Sequence, residues 1–395
     1  MSRLLTSRKI YDFFMLSGLF LSIFALLRFP TQSIDAATEG LRLSANVIIP
    51  SLFPFFVLSN LMIALGLTRY IGRLFAPVMR PLFNVSGACA SAFVLGFIGG
   101  YPVGAKTAIG LYNSGSISKH EAERLLAFCN NSGPAFIFGV VGVSIFASSR
   151  VGLVLYLAHA LASVMVGILF RNWGSRRMGG GAFKQIVAEK PEKLSTAFVQ
   201  SVTGAFRSAL GICGFVVFFT VFIRLLFLSG AIPAATHFFG TTLHSIGLSA
   251  DWIEMLFVGL IEISSGVFSL REVTEFLPGA IAMAAFMLGW AGLSVHCQVL
   301  SFIGQSGLSV RSYILGKFLH GIFSTALTFL LIRIIPLQAP VAAYLAEGVE
   351  GIVRLDWART LQISTIAAVV LGVGAVWAKW RCKSTGRMRI SSQKG

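Results

Sequence analysis

Long apolar stretches recur along the whole chain and are separated by short polar segments. A helix needs about 20 apolar residues to cross the ~30 Å hydrocarbon core of a bilayer. The candidates are 11–27, 44–66, 86–105, 134–147, 151–170, 205–229, 251–268, 277–294, 311–335 and 360–379. Their apolar residues are continuous instead of alternating, which favours helices over a membrane barrel. The pattern predicts an all-α polytopic membrane protein with about eight to ten membrane segments.

Several of these stretches contain residues that break helices. Pro50 and Pro54 interrupt the second stretch, a Gly-Gly pair and Pro102 end the third, and 134–147 is short for a full span. A broken helix at membrane depth needs protein or water around its freed backbone groups. We therefore expect broken or re-entrant helices, with breaks after Gly100 and Gly133 and, in the second half of the chain, at Gly266 and Gly292. These interruptions are expected to surround one polar cavity near the middle of the bilayer.

The charged residues indicate how the chain is oriented. Only 12% of the residues are charged, and Lys and Arg (32) outnumber Asp and Glu (15). The basic residues cluster at the N-terminus, in 171–193 and after Lys379, which predicts cytoplasmic positions for all three and for both termini. The segment 336–358 is predicted to be an external loop. The basic residues form no stripe with interleaved aromatics, so nucleic acid is not an expected partner.

An internal repeat emerges when the two halves are aligned. The sequence at 48–56 matches 211–219 and Gly96 matches Gly259, both at an offset of 163, and Ser132 matches Ser294 at 162. The predicted organisation is an N-terminal helix and external loop (1–40), repeat 1 (41–170), a basic cytoplasmic linker (171–197), repeat 2 (198–335), and an external loop, last helix and basic tail (336–395). The charge pattern predicts that the repeats are inverted, which is typical of secondary transporters. Two copies of a structural bundle without transport are the alternative.

Candidate site residues in the first repeat lie in two motifs. In "GFIGGYPVGAK", Tyr101 and Pro102 stand where the chain is expected to turn back into a new helix, whose start can hold an anion, and Lys106 would add a positive charge. Alternatively, Lys106 only extends to an interface. In "CNNSGPAF", Asn130, Asn131 and Ser132 are candidate solute-binding residues, and the two asparagines would present amide groups to a solute carboxylate or a coupling cation. Alternatively, Asn131 and Ser132 only cap the next helix.

The second repeat supplies "GLIEISSG" and "GWAGLSVHCQV". Glu262 lies inside a membrane stretch, where an ionisable group indicates function. It is expected to bind H⁺ or Na⁺ or to pair with Lys106. Further candidates for solute binding are Ser264, Ser265, Ser294 and His296, although a single histidine is often only a hydrogen-bonded interior residue. Hydrolase motifs, a P-loop and metal-ligand clusters are missing from the sequence, so we expect neither an enzyme nor a cofactor other than a coupling ion.

The blocks "GGYPVGAKTA", "LLAFCNNSGP", "GLIEISSG" and "GLSVHCQV" resemble the YlbJ family of sporulation integral membrane proteins, which carry the nucleoside-recognition gate domain twice. The resemblance covers roughly 40–335. It implies a multi-pass protein of the outer forespore membrane that exports dipicolinate, a small anionic solute, from the mother cell. Carried over by this resemblance are Tyr101, Pro102, Lys106, Asn130, Asn131, Ser132, Glu262, Ser294 and His296.

Two other functions stay open at this point. A nucleoside- or purine-type carrier would use the asparagines, Gln298 and Glu262 to bind a neutral solute. A membrane scaffold for cortex assembly would move nothing. A site dominated by Lys106 favours the anion, whereas one dominated by Glu262 favours the nucleoside or a cation. Besides the lipid bilayer and the solute, a second copy of the chain is a further partner that stays open at this point.

Overall fold

The fold is known from a computed structural model that describes residues 2–174, 193–243, 249–273, 277–335 and 337. These residues belong to one compact unit, Met1–Gln338. The predicted last span (360–379), the external loop (336–358) except residue 337, the basic tail and most of the basic linker lie outside the described residues. Within the described residues every regular element is a helix, which confirms the predicted all-α membrane class.

The α-helices are α1 (Ser2–Arg28), α2 (Pro30–Leu43), α3 (Ile49–Ala64), α4 (Leu67–Phe83), α5 (Ala90–Gly99), α6 (Val103–Asn113), α7 (Lys119–Leu126), α8 (Ser149–Leu169), α9 (Leu194–Leu228), α10 (Ala231–Leu243), α11 (Ala250–Ile261), α12 (Ile263–Ser269), α13 (Leu277–Trp290), α14 (Gly292–Gly304) and α15 (Val310–Ile334). Two π-helical segments, Ser44–Ile48 and Ala135–Ile145, join them.

Fewer helices are long enough to cross a bilayer than the sequence predicted. In the described part of the chain five qualify by length and composition: Pro30–Ala64, Ser149–Asn172, Leu194–Leu228, Leu277–Gly304 and Val310–Ile334. The pair Arg73–Phe83 and Gly87–Gly99, bent by 118°, makes a sixth if it is counted as one span. The other predicted segments in this part do not qualify: 251–268 forms the two short helices α11 and α12, 134–147 forms the helix Ala135–Ile145, and the apolar part of α1 is the short stretch Met15–Arg28.

Residues 30–64 also differ from expectation, since the sequence predicted a loop up to residue 40 and a span broken by prolines. Instead α2 and α3 form one helix of 35 residues. Pro50 lies in the first turn of α3, directly after the π-helical turn Ser44–Ile48. A proline clashes with the carbonyl four residues before it. The wider π turn at that place lets the helix continue.

The same order of elements occurs twice, as the sequence offset predicted. Each half has a 35-residue helix, a shorter helix, a helical hairpin, a helix broken in the middle and a last helix. In the first half these are α2–α3, α4, α5–α6, α7 with Ala135–Ile145, and α8; in the second they are α9, α10, α11–α12, α13–α14 and α15. Corresponding helices meet, since α3 packs on α9 and α8 packs on α15. Orientation in the bilayer stays a prediction.

The hairpin of the second half turns at Glu262, so the expected break after Gly266 is wrong. Glu262 has extended backbone (φ −139°, ψ 117°) between α11 and α12. Gly266 lies inside α12, where a Cβ would come within 2.2 Å of the Cα of Gly259 on α11. Gly266 therefore serves close packing of the two arms, as small residues do between membrane helices.

Candidate functional site

In the first half, the hairpin tip touches the break in the neighbouring helix. Gly100 follows α5 with a left-handed φ of +70°, which glycine adopts without strain. A Cβ on Gly100 would lie 3.0 Å from the backbone N of Gly133, in the break that follows α7. α6 starts at Val103, directly after Pro102, as expected from the sequence. The backbone of the tip thus packs directly on the interrupted segment.

The second half repeats this arrangement. The side chain of Glu262 caps α12, because one of its oxygens accepts a hydrogen bond of 2.6 Å from the backbone N–H of Ser265. A Cβ on Gly292, at the break between α13 and α14, would lie 3.0 Å from the backbone N of Ile263. The second tip therefore packs on the second break.

Both tips, the first break and the first turns of α14 after the second break line one cavity, together with α3 and α9. Its empty volume is about 660 Å³, part of which is open to the surroundings. Its polar lining residues are Tyr101, Ser132, Glu262, Ser264, Ser294 and Gln298, and its aromatic ones include Phe55, Phe56, Phe136 and Phe215. Ser132 and Ser294, which the repeat offset pairs, face the same space. The interruptions expected at Gly100 and Gly133 line this cavity, whereas in the second half it is lined at Glu262 and Ser294 and not at Gly266 or Gly292. Its depth in the bilayer stays a prediction.

Glu262 is the acidic group of this cavity. Only 2% of its surface is exposed. Besides the bond from Ser265, its other carboxyl oxygen lies 3.5 Å from the hydroxyl of Ser294. Among the described residues it forms no ion pair with Lys106, so the predicted pairing is not present.

Lys106 lies away from the cavity, contrary to the expected anion site. Its side chain is exposed on α6 and is not among the cavity's lining residues. The buried face of α6 carries Ala105, Ala108 and Ile109. The helical phase thus turns position 106 outward, and the structure does not bring it together with the two asparagines.

Asn130 and Asn131 are buried behind the cavity wall and do not line the cavity. The Asn131 side-chain N–H donates to the carbonyl of Phe128 at 3.0 Å. Both side-chain polar atoms of Asn130 and the amide oxygen of Asn131 have no hydrogen-bond partner within the described residues. Ser132 lines the cavity, and its backbone N–H donates to Nε2 of His159 at 3.0 Å. Of the three neighbours, only Ser132 presents itself to a solute.

The remaining predicted residues also form two groups, those that line the cavity and those that do not. Ser264 and Tyr101 line the cavity, and the Tyr101 hydroxyl donates to the carbonyl of Leu288. Pro102, Ser265 and His296 are not among the lining residues. The Ser265 hydroxyl lies 3.4 Å from that of Thr220, and Nδ1 of His296 lies 2.9 Å from the Tyr313 hydroxyl. These contacts give Ser265 and His296 structural partners.

One charged residue beside the site was missed in the sequence. Lys317 on α15 is 1% exposed, and its Nζ donates to the carbonyl oxygen of Asn130 at 3.0 Å. The same Nζ lies 5.1 Å from the ring centroid of Tyr101. The sequence did contain a signal for Lys317, because an ionisable residue inside the apolar stretch 311–335 indicates function, as was argued for Glu262.

Known proteins resemble this chain in sequence and in fold. The family model "Gate: Nucleoside recognition" matches residues 45–170. Structures of CNTnw and its variants cover 81–82% of this chain at 10–12% identity: an intermediate state (TM-score 0.56, 87% of that chain), an outward-facing state (0.54, 87%) and an inward-facing substrate-bound state (0.53, 86%). At such identity they show the fold alone.

A curated relative establishes the family. The "Sporulation integral membrane protein YlbJ" of Bacillus subtilis (strain 168) is 32% identical over 319 residues, which are 76% of this chain and 78% of the relative. The CNTnw structures show the fold that this chain shares, and the relative is named as a sporulation integral membrane protein. The resemblance first seen in four sequence blocks thus holds over most of the chain, which belongs to the YlbJ family of sporulation integral membrane proteins.

Proposed function

We propose that the protein is a secondary transporter that moves dipicolinate out of the mother cell across the outer forespore membrane. The observation that carries the proposal is the cavity enclosed by two hairpin tips and two broken helices. Sites of this construction lie where two repeats of a transporter move against each other. CNTnw, which shares the fold, has been solved in outward-facing and inward-facing states.

The cavity suits a small planar solute. Phenylalanine side chains and the ring of Tyr101 form its apolar walls. Hydroxyls of Ser132, Ser264 and Ser294 offer hydrogen-bond donors to a carboxylate. Dipicolinate is a planar heteroaromatic dicarboxylate, so its ring matches the apolar walls and its carboxylates match the hydroxyl donors. Membership of a sporulation family also supports it as the substrate. A carboxylate beside Glu262 requires a shared proton, because two like charges in contact repel each other.

A nucleoside is the second candidate, favoured by the position of the acidic group. Glu262 lines the cavity and Lys106 does not. An ionised carboxylate accepts hydrogen bonds from ribose hydroxyls or base N–H groups. The matched family model is also named for nucleoside recognition.

Uptake by proteoliposomes tests transport and separates the two substrates. Purified protein is reconstituted, and entry of labelled dipicolinate and of labelled nucleosides is measured in parallel, with empty liposomes as the control. Saturable uptake of dipicolinate with no competition by nucleosides supports the first candidate. The opposite result supports the second. Uptake of neither, with the protein correctly folded, contradicts the transporter proposal and leaves a membrane scaffold.

Glu262→Gln sharpens this test, because glutamine has nearly the shape of a protonated glutamate and carries no charge. For dipicolinate we expect affinity to be kept or improved. For a nucleoside, loss of charge-assisted hydrogen bonds worth ~1.5–3 kcal/mol lowers affinity about ten- to a hundredfold. Glu254→Gln on α11 is the matched control, since Glu254 does not line the cavity.

A further inference from the structure

The break after α7 frees backbone groups that side chains from other helices satisfy. The carbonyl of Phe128 accepts the hydroxyl of Ser163 at 2.8 Å, and the N–H of Ser132 donates to His159, both partners lying on α8. The carbonyl of Asn130 accepts the Lys317 ammonium from α15. This interruption is therefore held by fixed protein groups from two neighbouring helices.

Lys317 has surroundings that a buried ammonium rarely has. Buried charges are normally paired, yet in the described part of the chain its Nζ hydrogen-bonds only the Asn130 carbonyl oxygen and no carboxylate. The ring face of Tyr101 is a second, weaker partner. The break lies just beyond the C-terminal end of α7, where the helix dipole is negative. All three features attract a cation.

Carbonyl oxygens of unwound segments and C-terminal ends of half-helices are the groups that coordinate coupling cations in secondary transporters. We infer that the Lys317 ammonium is a tethered cation that occupies this carbonyl site permanently, so that solute binding needs no free metal cation. The inference rests on the proposed transport function. Tyr101 lies between Lys317 and the cavity, since its ring contacts the ammonium and also lines the cavity. By this contact the charge holds the first hairpin tip against the break.

Salt replacement in the unaltered protein tests the inference directly. Labelled dipicolinate and nucleoside uptake are measured with sodium chloride, potassium chloride and choline chloride on both sides of the proteoliposome membrane. We expect equal rates within about twofold in all three salts. A requirement for sodium or potassium would overturn the inference, because the site would then need a free cation.

Substitutions test the lysine itself. Lys317→Ala removes the ammonium and leaves space, so uptake should fall at least tenfold and recover with millimolar ethylammonium chloride but not with ethanol. Lys317→Met, which keeps most of the length without charge, should also lose at least tenfold. The matched control is Lys106→Ala on α6, which should keep its uptake and gain nothing from ethylammonium. Normal uptake by Lys317→Met would overturn the inference.

Thermal unfolding in detergent separates this inference from the transport proposal. Ethylammonium should raise the unfolding midpoint of Lys317→Ala and leave the unaltered protein and Lys106→Ala unchanged. This readout does not depend on any transported solute, so it decides the matter even if no solute is taken up. If Lys317→Ala does not accumulate in the membrane, Lys317→Arg takes its place, because arginine keeps the charge, and this variant should accumulate. The salt replacement then decides, and the unaltered protein should keep its uptake rate without sodium. Absence of the midpoint shift in a folded Lys317→Ala protein would count against a cation site.

Discussion

Gly104→Ala should disrupt the contact that holds the first hairpin to the break after α7. The carbonyl oxygen of Cys129 lies between the two arms of the hairpin, against Gly96 on α5 and Gly104 on α6. A Cβ on Gly104 would come within 1.9 Å of that oxygen and 2.9 Å of the Cα of Gly96. Both neighbours are backbone atoms, so neither moves away by a side-chain rotation.

The size of the effect follows from these distances. An ordinary contact begins at 3.4 Å, so the oxygen and the new methyl must separate by 3.4 − 1.9 = 1.5 Å. Overpacking a well-packed interior costs about 1–3 kcal/mol, and a backbone shift of this size belongs at the upper end. Because the tip at Tyr101 moves with α6, the cavity lining is displaced, and we expect uptake to fall together with stability.

Gly110→Ala is the matched control on the same helix. No atom lies within 4 Å of a Cβ at Gly110, so the substitution should gain ~0.5–1 kcal/mol from helix propensity. Thermal unfolding midpoints in detergent and uptake rates are compared for both variants and the unaltered protein. If Gly104→Ala unfolds at or above the midpoint of Gly110→Ala, the close packing of hairpin and break does not exist as described.

Three further outcomes are expected. Gly180→Cys and Leu345→Cys, introduced singly into a cysteine-free version at positions outside the described residues, should label from opposite sides of the membrane; same-side labelling would end the inverted-repeat prediction. Lys106→Met should accumulate and transport at the normal rate, because the Lys106 side chain lies outside the cavity. A large loss of uptake would instead show that Lys106 belongs to the binding site. Ser132→Ala and Ser294→Ala should each weaken solute affinity about two- to twelvefold, the loss of one hydrogen bond of ~0.5–1.5 kcal/mol, with unchanged midpoints; unaltered affinity in equilibrium binding would remove the hydroxyls from the site.

The interruptions of the helices could be predicted from the sequence, because glycine and proline act through the local backbone. The turn at Gly100 and the new helices after Pro102 and Pro134 lie where the sequence placed them. There are two exceptions: Gly266, expected at a break, lies inside α12, and Pro50 lies within a continuous helix. The effect of Pro50 depends on the hydrogen-bond register of the preceding turn, and sequence does not distinguish a π turn from an α turn.

The direction of side chains could not be predicted so well. Lys106 and Ala105 are neighbours in sequence, but one is exposed and the other fully buried, since successive residues on a helix point about 100° apart. The phase depends on which face of α6 packs on the rest of the protein. That face is chosen by tertiary contacts of Gly104, which no local pattern reveals.

The repeat predicts positions better than chemistry, and this difference bears on mechanism. Ser132 and Ser294 correspond in sequence and face the same cavity. The charges beside them do not correspond, since Lys317 bonds the backbone of the first break and Glu262 caps the second hairpin. Lys317 lies behind Tyr101 and does not line the cavity, whereas Glu262 lines it. Because of this difference, Glu262 should govern which solute binds, whereas Lys317 should govern whether a free cation is needed. Substitutions at the two positions are therefore expected to change different measurements, solute selectivity for Glu262 and salt dependence for Lys317.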